Sequence, residues 1–198
     1  MLLINVGGAK GFKNFSDKVR DNWKVMDVDP KKADYLYDVN STEPIPLNSD
    51  SVDGYYCSMI LEHVDPGILP GLLKEFYRTL KPNGRIRVVV PDFRLACFHY
   101  LNDPRWLWRK DLPTGDKTFP ETALGKLMPW FYSRDGVVKG AMRHGHKMCF
   151  DAETLKQFFM GAGFRGIVQR DYNTKDSMFD GKDFKRYAEW SIYLEAQK

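Results

Sequence analysis

At 198 residues, 43% of them hydrophobic, the chain is long enough for one domain around a single core and cramped for two. Its 30 basic residues interleave with 26 acidic ones, and the net charge of +4 permits a polyanionic partner without demanding one. Cys57, Cys97 and Cys149 are odd in number and far apart with no C-x-x-C pair, which argues against a disulfide scaffold and for a reduced, cytoplasmic protein.

The first apolar run, residues 2–6, predicts a buried strand that breaks at Gly7, too short for the core of a signal peptide. No segment approaches the roughly 20 apolar residues of a transmembrane helix, so no membrane span is expected. Residues 24–28 predict a second strand. Between the two, "GFKNFSDKVRDNW" places Phe12, Phe15 and Val19 at helical spacing, a weak helix interrupted by glycine. Residues 35–39 predict a short third strand and "VDGYYCSM" a fourth. The strongest helix follows, with Asp65 as its cap, Pro66 in its first turn, and Leu69, Leu72, Leu73, Phe76, Tyr77 and Leu80 along one face. "KPNG" stops it, and "RIRVVV" predicts a buried strand ending at Pro91.

Residues 93–150 differ: Trp106, Trp108, Trp130, Phe131 and Tyr132 recur there without a clean period, which reads as an insertion or lid within one domain spanning 1–198. From Asp151 the regularity returns. Asp151 caps a helix with Leu155, Phe158 and Phe159 on one face, "GAG" at 161–163 breaks it, and residues 164–170 and 188–196 predict two closing strands. The alternation implies an α/β fold, a mostly parallel twisted sheet with helices on both faces and an antiparallel edge strand.

The stretch "NVGGAKG", Asn5 to Gly11, is a strand running into a glycine turn, a form shared by several cofactor sites. Phe12 after Gly11 rules out G-x-x-x-x-G-K-[ST], and the glycine spacing does not make G-x-G-x-x-G. An acid does stand about 20 residues on, at Asp27. Asp27, Asp29, Asp38 and Glu62 gather at the expected carboxyl edge of the sheet, where they would repel a pyrophosphate but tolerate the sulfonium of S-adenosylmethionine (SAM). Asp27 suits its ribose hydroxyls and Asp38 its adenine.

"INVGG", "VMDVDP", "YDVNS", "VDGYYCSMILEHV" and "LKPNGRIRVVVPD" follow in an order and spacing that resembles the class I SAM-dependent methyltransferases. The segment from His146 to Phe164 and the final "SIYLEAQK" are similar to compact methyltransferase-type proteins associated with surface-glycan genes. The likeness covers residues 1–92 and 144–198 well and 93–143 poorly. It implies the Rossmann-like class I methyltransferase fold, with SAM held by Asn5, Gly7, Gly8, Ala9, Asp27, Val28, Asp38, Val39, Ser58 and Glu62. The family turn is usually G-C-G; here Gly8 and Ala9 fill the last two positions, and the extra methyl of Ala9 crowds the cofactor's approach.

A hydroxyl acceptor must also lose a proton, and neutral histidine is the natural base near pH 7. His146 is the first candidate, His144 and His63 the next, with Asp92 orienting acceptor or base. Glu62 and His63 also admit a packing or capping role, and the aromatics of 106–132 either a lid core or a sugar-stacking platform. "RHGHKMCFD" contains H-x-H-x-x-C but no nearby fourth ligand, so no metal is expected. The segment after the fourth strand lacks the Pro-Pro pair of nucleobase amino-methyltransferases, so nucleic acid is not an expected partner. The expected activity is O-methyl transfer to a small-molecule or glycan acceptor, such as a sugar hydroxyl in glycan biosynthesis. Two alternatives stay open: a SAM-fold binding protein that transfers nothing, and a nicotinamide-dependent oxidoreductase.

Overall fold

The structure, a computed structural model, describes residues 1–8, 23–112, 119–134, 136–138, 141–143, 145–175 and 178–198, with the backbone alone for 136–138 and 141–143. The weak helix expected in 11–23 and both candidate site residues Ala9 and His144 fall largely or wholly outside these residues. Seven strands form one sheet: β1 (Leu3–Val6), β2 (Trp23–Asp27), β3 (Tyr35–Leu36), β4 (Val52–Ser58), β5 (Leu80–Pro91), β8 (Arg165–Arg170) and β9 (Ser191–Gln197). Their order is β3-β2-β1-β4-β5-β9-β8. The first five run parallel, and β9 runs antiparallel to both β5 and β8, so an antiparallel pair closes that edge as the sequence predicts.

The two faces of the sheet are written in the period-two alternation of its central strands. Ile4, Val6, Tyr55, Cys57, Ile86, Val88 and Val90 point to the main core, where they meet Leu69, Leu72, Leu73 and Phe76 of α1 (Leu69–Thr79) and Leu155 and Phe159 of α4 (Ala152–Gly161). Leu3, Tyr56, Val89 and Tyr193 point the other way and are covered by Phe179 from the β8–β9 connection. On that second face the strand run "RIRVVV" also buries a charge. Arg87 is 1% exposed and pairs with both Asp183 and Glu195; its Nε donates to Asp183 Oδ1 at 2.9 Å and its Nη1 to Glu195 Oε1 at 2.8 Å. Nη2 donates to the carbonyl of Asp171 at 3.0 Å, and the guanidinium lies 5.2 Å from the Tyr193 ring centre.

Three boundaries differ from the sequence reading. The helix expected to be capped by Asp65 begins at Leu69. Asp65 instead holds a preceding turn, its carboxylate accepting from the amide of Gly67 at 2.8 Å and its carbonyl from the amides of Ile68 and Leu69. The third strand is only Tyr35–Leu36, and β5 begins at Leu80, absorbing "KPNG" through a register shift against β4. The cap of α4 is as expected: Asp151 accepts from the amide of Thr154 at 2.8 Å.

Residues 93–150 contain α2 (Phe93–Asn102), α3 (Ala123–Leu127) and a hairpin of β6 (Gly136–Val138) and β7 (Ala141–Arg143). Ala96, Leu107, Leu112, Leu127 and Trp130 form their own apolar cluster, joined to the sheet by Trp190 just before β9. Trp130 is fully buried and packs edge-on against Trp190, which withdraws it from any stacking platform; Trp108 is exposed.

Candidate functional site

The carboxyl ends of β3, β2, β1 and β4 lie side by side, because those strands are neighbours and parallel. The turn after β1 is built for glycine. Gly7 has φ +68°, its amide donates to the carbonyl of Met26 at 2.8 Å, and a Cβ there would stand 1.9 Å from Ile60 Cδ1. A Cβ on Gly8 would stand 1.9 Å from Nδ2 of the buried Asn5. Glycine is therefore required at both positions, because Ile60 and the buried Asn5 pack where a Cβ would stand.

Next along the edge, Asp27 ends β2 and accepts the amide of Asp29 at 2.9 Å, while Asp38 accepts the amide of Asn40 at 2.8 Å. Both carboxylates remain partly exposed, as does Ser58 at the end of β4. Val28 is exposed and Val39 packs against the main core. Asn40, inside the quoted "YDVNS" but not singled out, links the two halves of this edge. Its Nδ2 donates to the carbonyl of His63 at 3.1 Å and its Oδ1 accepts the amide of Asp65 at 2.7 Å.

After β4 the chain makes a short turn, Leu61–His63, and the segment that precedes α4 pairs with it. The carbonyl of Glu62 accepts the amide of Lys147 at 2.8 Å and of Met148 at 3.3 Å. His146 is held on the other side by Ser133, whose Oγ accepts the His146 amide at 2.8 Å and whose amide donates to the His146 carbonyl at 3.1 Å. The rings of His63 and His146 consequently meet edge to face, with centres 4.8 Å apart, and His63 Nε2 lies 4.0 Å from Glu62 Oε1. Sequence reasoning assigned Glu62 to the cofactor; the structure places it against these two histidines.

Burial sets the charge state of the cluster. Glu62 is 1% exposed, and neither carboxylate oxygen has a hydrogen-bond partner among the described residues. Desolvation pushes its pKa up to about 8. The same cause, helped by the neighbouring His63, pulls His146 down to about 4. A carboxyl raised in the fold stabilises the protein fully below its unfolded pKa and loses that contribution as pH rises through the folded one. Glu62→Gln should therefore match wild type in stability below about pH 4.5, exceed it progressively between pH 4.5 and about 8, and keep a constant margin above that. Urea unfolding across that range in EDTA-containing buffer checks this, and a constant difference at all pH values would contradict it.

Two other candidates sit elsewhere. Asp92 caps α2, accepting the amide of Leu95 at 3.2 Å, with its pKa raised by burial. No described contact joins it to Glu62, His63 or His146. Cys149 stands outside the cluster, and His144 of the H-x-H-x-x-C pattern lies outside the described residues. No described helix is long and apolar enough to cross a membrane.

Residues 13–88 match the sequence pattern of the methyltransferase domain family. Comparison with curated proteins gives no match. Among solved structures, a SAM-dependent methyltransferase from Archaeoglobus fulgidus is similar at TM-score 0.57 and 15% identity, over 99% of this chain and 85% of that one. A possible histamine N-methyltransferase from Thermotoga maritima is similar at TM-score 0.54 and 16% identity, over 100% and 82%. The 1,6-didemethyltoxoflavin-N1-methyltransferase of Burkholderia thailandensis, solved with bound 1,6-didemethyltoxoflavin and S-adenosylhomocysteine, is similar at TM-score 0.55 and 12% identity, over 100% and 70%. The strand order, the glycine turn and these likenesses together give the chain the class I methyltransferase fold.

Proposed function

We propose that the chain is a SAM-dependent methyltransferase acting on a small-molecule acceptor through a hydroxyl group, with sugar hydroxyls of glycan intermediates the first class to test. The observation that carries this reading is the glycine turn flanked by two partly exposed acidic residues on one side and the largely buried Glu62–His63–His146 cluster on the other. One part fits a cofactor with hydroxyls and a cationic centre, the other an acceptor that must give up a proton.

In this reading Gly7 and Gly8 let the cofactor's amino-acid end lie against backbone, Asp27 takes the ribose hydroxyls and Asp38 the adenine side. SAM supplies a methyl group already activated by its sulfonium. The protein's task is then to align the acceptor and exclude water, and alignment accounts for much of the acceleration in such transfers. The segment 93–150 serves as the acceptor pocket, since its end is pinned to Glu62 by the amides of Lys147 and Met148. Between the two histidines, His63 meets the acceptor more readily through Nε2, its Nδ1 being buried, because its side chain is 28% exposed whereas His146 is 9% exposed. His146, ranked first from sequence, positions the cluster instead: with its pKa near 4 it holds a proton poorly.

The test is calorimetric titration with SAM, S-adenosylhomocysteine and NAD. Asp27→Ala should remove a charge-assisted hydrogen bond worth about 1.5–3 kcal/mol, lowering SAM affinity by roughly 10- to 150-fold while the fold survives. No SAM binding by wild type, or tighter NAD binding, would overturn the reading.

A further inference from the structure

Glu62 presents a problem that the methyl-transfer reading does not resolve. A carboxylate removed from water and left without a hydrogen-bond donor is costly, and such groups in folded proteins are usually paired or bound to a metal. Glu62 has both oxygens buried and unpartnered among the described residues, and it faces imidazole nitrogens rather than a cation. The one described ion-pair geometry it has is with the imidazole of His63, whose Nε2 lies 4.0 Å from Oε1.

One oxygen of Glu62 and one nitrogen from each of His63 and His146 all lie within 4.8 Å of one another. A tetrahedral zinc site with bonds of about 2.0–2.1 Å sets its donors roughly 3.4 Å apart, so modest side-chain rotation closes the set. His146 shows the support that metal-binding histidines usually have: its Nδ1 lies 3.4 Å from the carbonyl oxygen of Trp130, an acceptor that favours the proton on Nδ1 and the lone pair on Nε2. Its main chain is held at both ends by Ser133, and Glu62 is held through its own carbonyl, so two of the three donors sit on a fastened frame. His63 is the half-exposed member and leaves access from its side.

We infer that Glu62, His63 and His146 form a binding site for one divalent transition ion of the zinc class, with a coordination position left open toward the acceptor pocket. Two histidines, one carboxylate and an open position make up a donor set that zinc accepts in catalytic sites. The inference deepens the proposed function, since an acceptor oxygen reaching the open position would be oriented and made more acidic at the place where the cluster meets it. It rests on that reading only for the identity of what arrives there; the ion site stands on the three side chains alone. Glu62 and His63 come from a different part of the chain from His146, so no local sequence spacing brings the three donors together.

The experiment uses the full untagged chain, stripped with a chelator, dialysed, and titrated with Zn²⁺ by calorimetry, with Co²⁺ absorption as a spectroscopic second readout. Wild type should bind one equivalent of Zn²⁺ and give Co²⁺ ligand-field bands of a four- or five-coordinate site. Glu62→Gln and His146→Gln should each weaken Zn²⁺ binding by 10-fold or more and alter those bands, whereas His99→Gln, a histidine stacked on Trp106 outside the cluster, should change neither. Circular dichroism and S-adenosylhomocysteine titration on every variant separate lost ligation from lost fold. Absence of stoichiometric Zn²⁺ binding in wild type, or equal binding by folded Glu62→Gln and His146→Gln, overturns the inference. Zn²⁺ binding in a protein that ignores S-adenosylhomocysteine keeps the ion site and sinks the methyltransferase reading; the reverse result does the opposite.

Discussion

Arg87→Ala is expected to destabilise the protein by about 3–5 kcal/mol, because it removes the guanidinium that pairs with the buried Asp183 and Glu195 carboxylates. For a chain of this size that corresponds to a fall of roughly 6–20 °C in Tm. The arrangement makes the loss severe. Asp183 takes the guanidinium and also accepts the amide of Asn173 at 2.7 Å and the hydroxyl of Tyr56 at 3.3 Å. The arginine thus ties β5 to β9 through Glu195 and to the β8–β9 connection through Asp183 and Asp171. Removing the charge frees that connection from the second face of the sheet. A buried ion pair is weak evidence of net stability, however, since desolvation offsets most of its attraction. A triple variant, Arg87→Met with Asp183→Leu and Glu195→Met, should therefore recover most of the loss. Thermal and urea unfolding measure both. A single variant within 1 kcal/mol of wild type would show that water reaches the site, and a triple variant no better than the single would show that the network also specifies the packing of the connection.

How far the sequence reached follows from how local each signal is. The central strands were legible because buried parallel strands are short, apolar and bounded by turns, and "INV", "YYCS" and "RVVV" meet all three conditions. The cap at Asp151 was legible because capping is decided within four residues. Asp65 offered the same local signal and misled, since Pro66 and Gly67 close a separate turn and Leu69 then starts the helix. What the sequence could not offer were contacts made by distant segments. Arg87 looked like one polar position in an apolar strand, because Asp183 and Glu195 arrive only when the last strand folds back. Likewise Glu62 and His146 were both candidates, but nothing in either segment announces that the amides of Lys147 and Met148 dock onto the Glu62 carbonyl. Asp27 and Asp38 could be placed at the sheet edge because strand ends can be counted along the chain, whereas the grouping of Glu62, His63 and His146 depends on the 93–150 segment, which carries no period to read.

His63→Ala is expected to keep S-adenosylhomocysteine affinity within a few-fold of wild type while lowering turnover by about 10²–10⁴-fold, the usual cost of losing a group that assists removal of an acceptor's proton, either directly or as a ligand of the ion that makes the acceptor more acidic. The separation follows from the fold. The proposed cofactor residues Gly7, Gly8, Asp27 and Asp38 belong to the ends of β1 and β2 and the loop after β3, whereas His63 sits beyond β4 and touches His146 and Glu62. Its backbone carbonyl, not its ring, takes the Asn40 hydrogen bond, so truncating the ring leaves that tie between the two halves of the edge in place. The ring is also partly exposed, and its removal creates no sealed cavity of the kind that destabilises cores. The assay first needs an acceptor, found by screening nucleotide sugars and glycan intermediates for S-adenosylhomocysteine release. With one in hand, the pH profile adds a readout that a packing role would not move: wild-type turnover should vary with pH in a way that His63→Ala flattens. A variant that binds S-adenosylhomocysteine and turns over at the wild-type rate would remove His63 from the reaction. A variant that loses cofactor affinity and turnover in parallel would instead make the ring a support for the cofactor side of the edge.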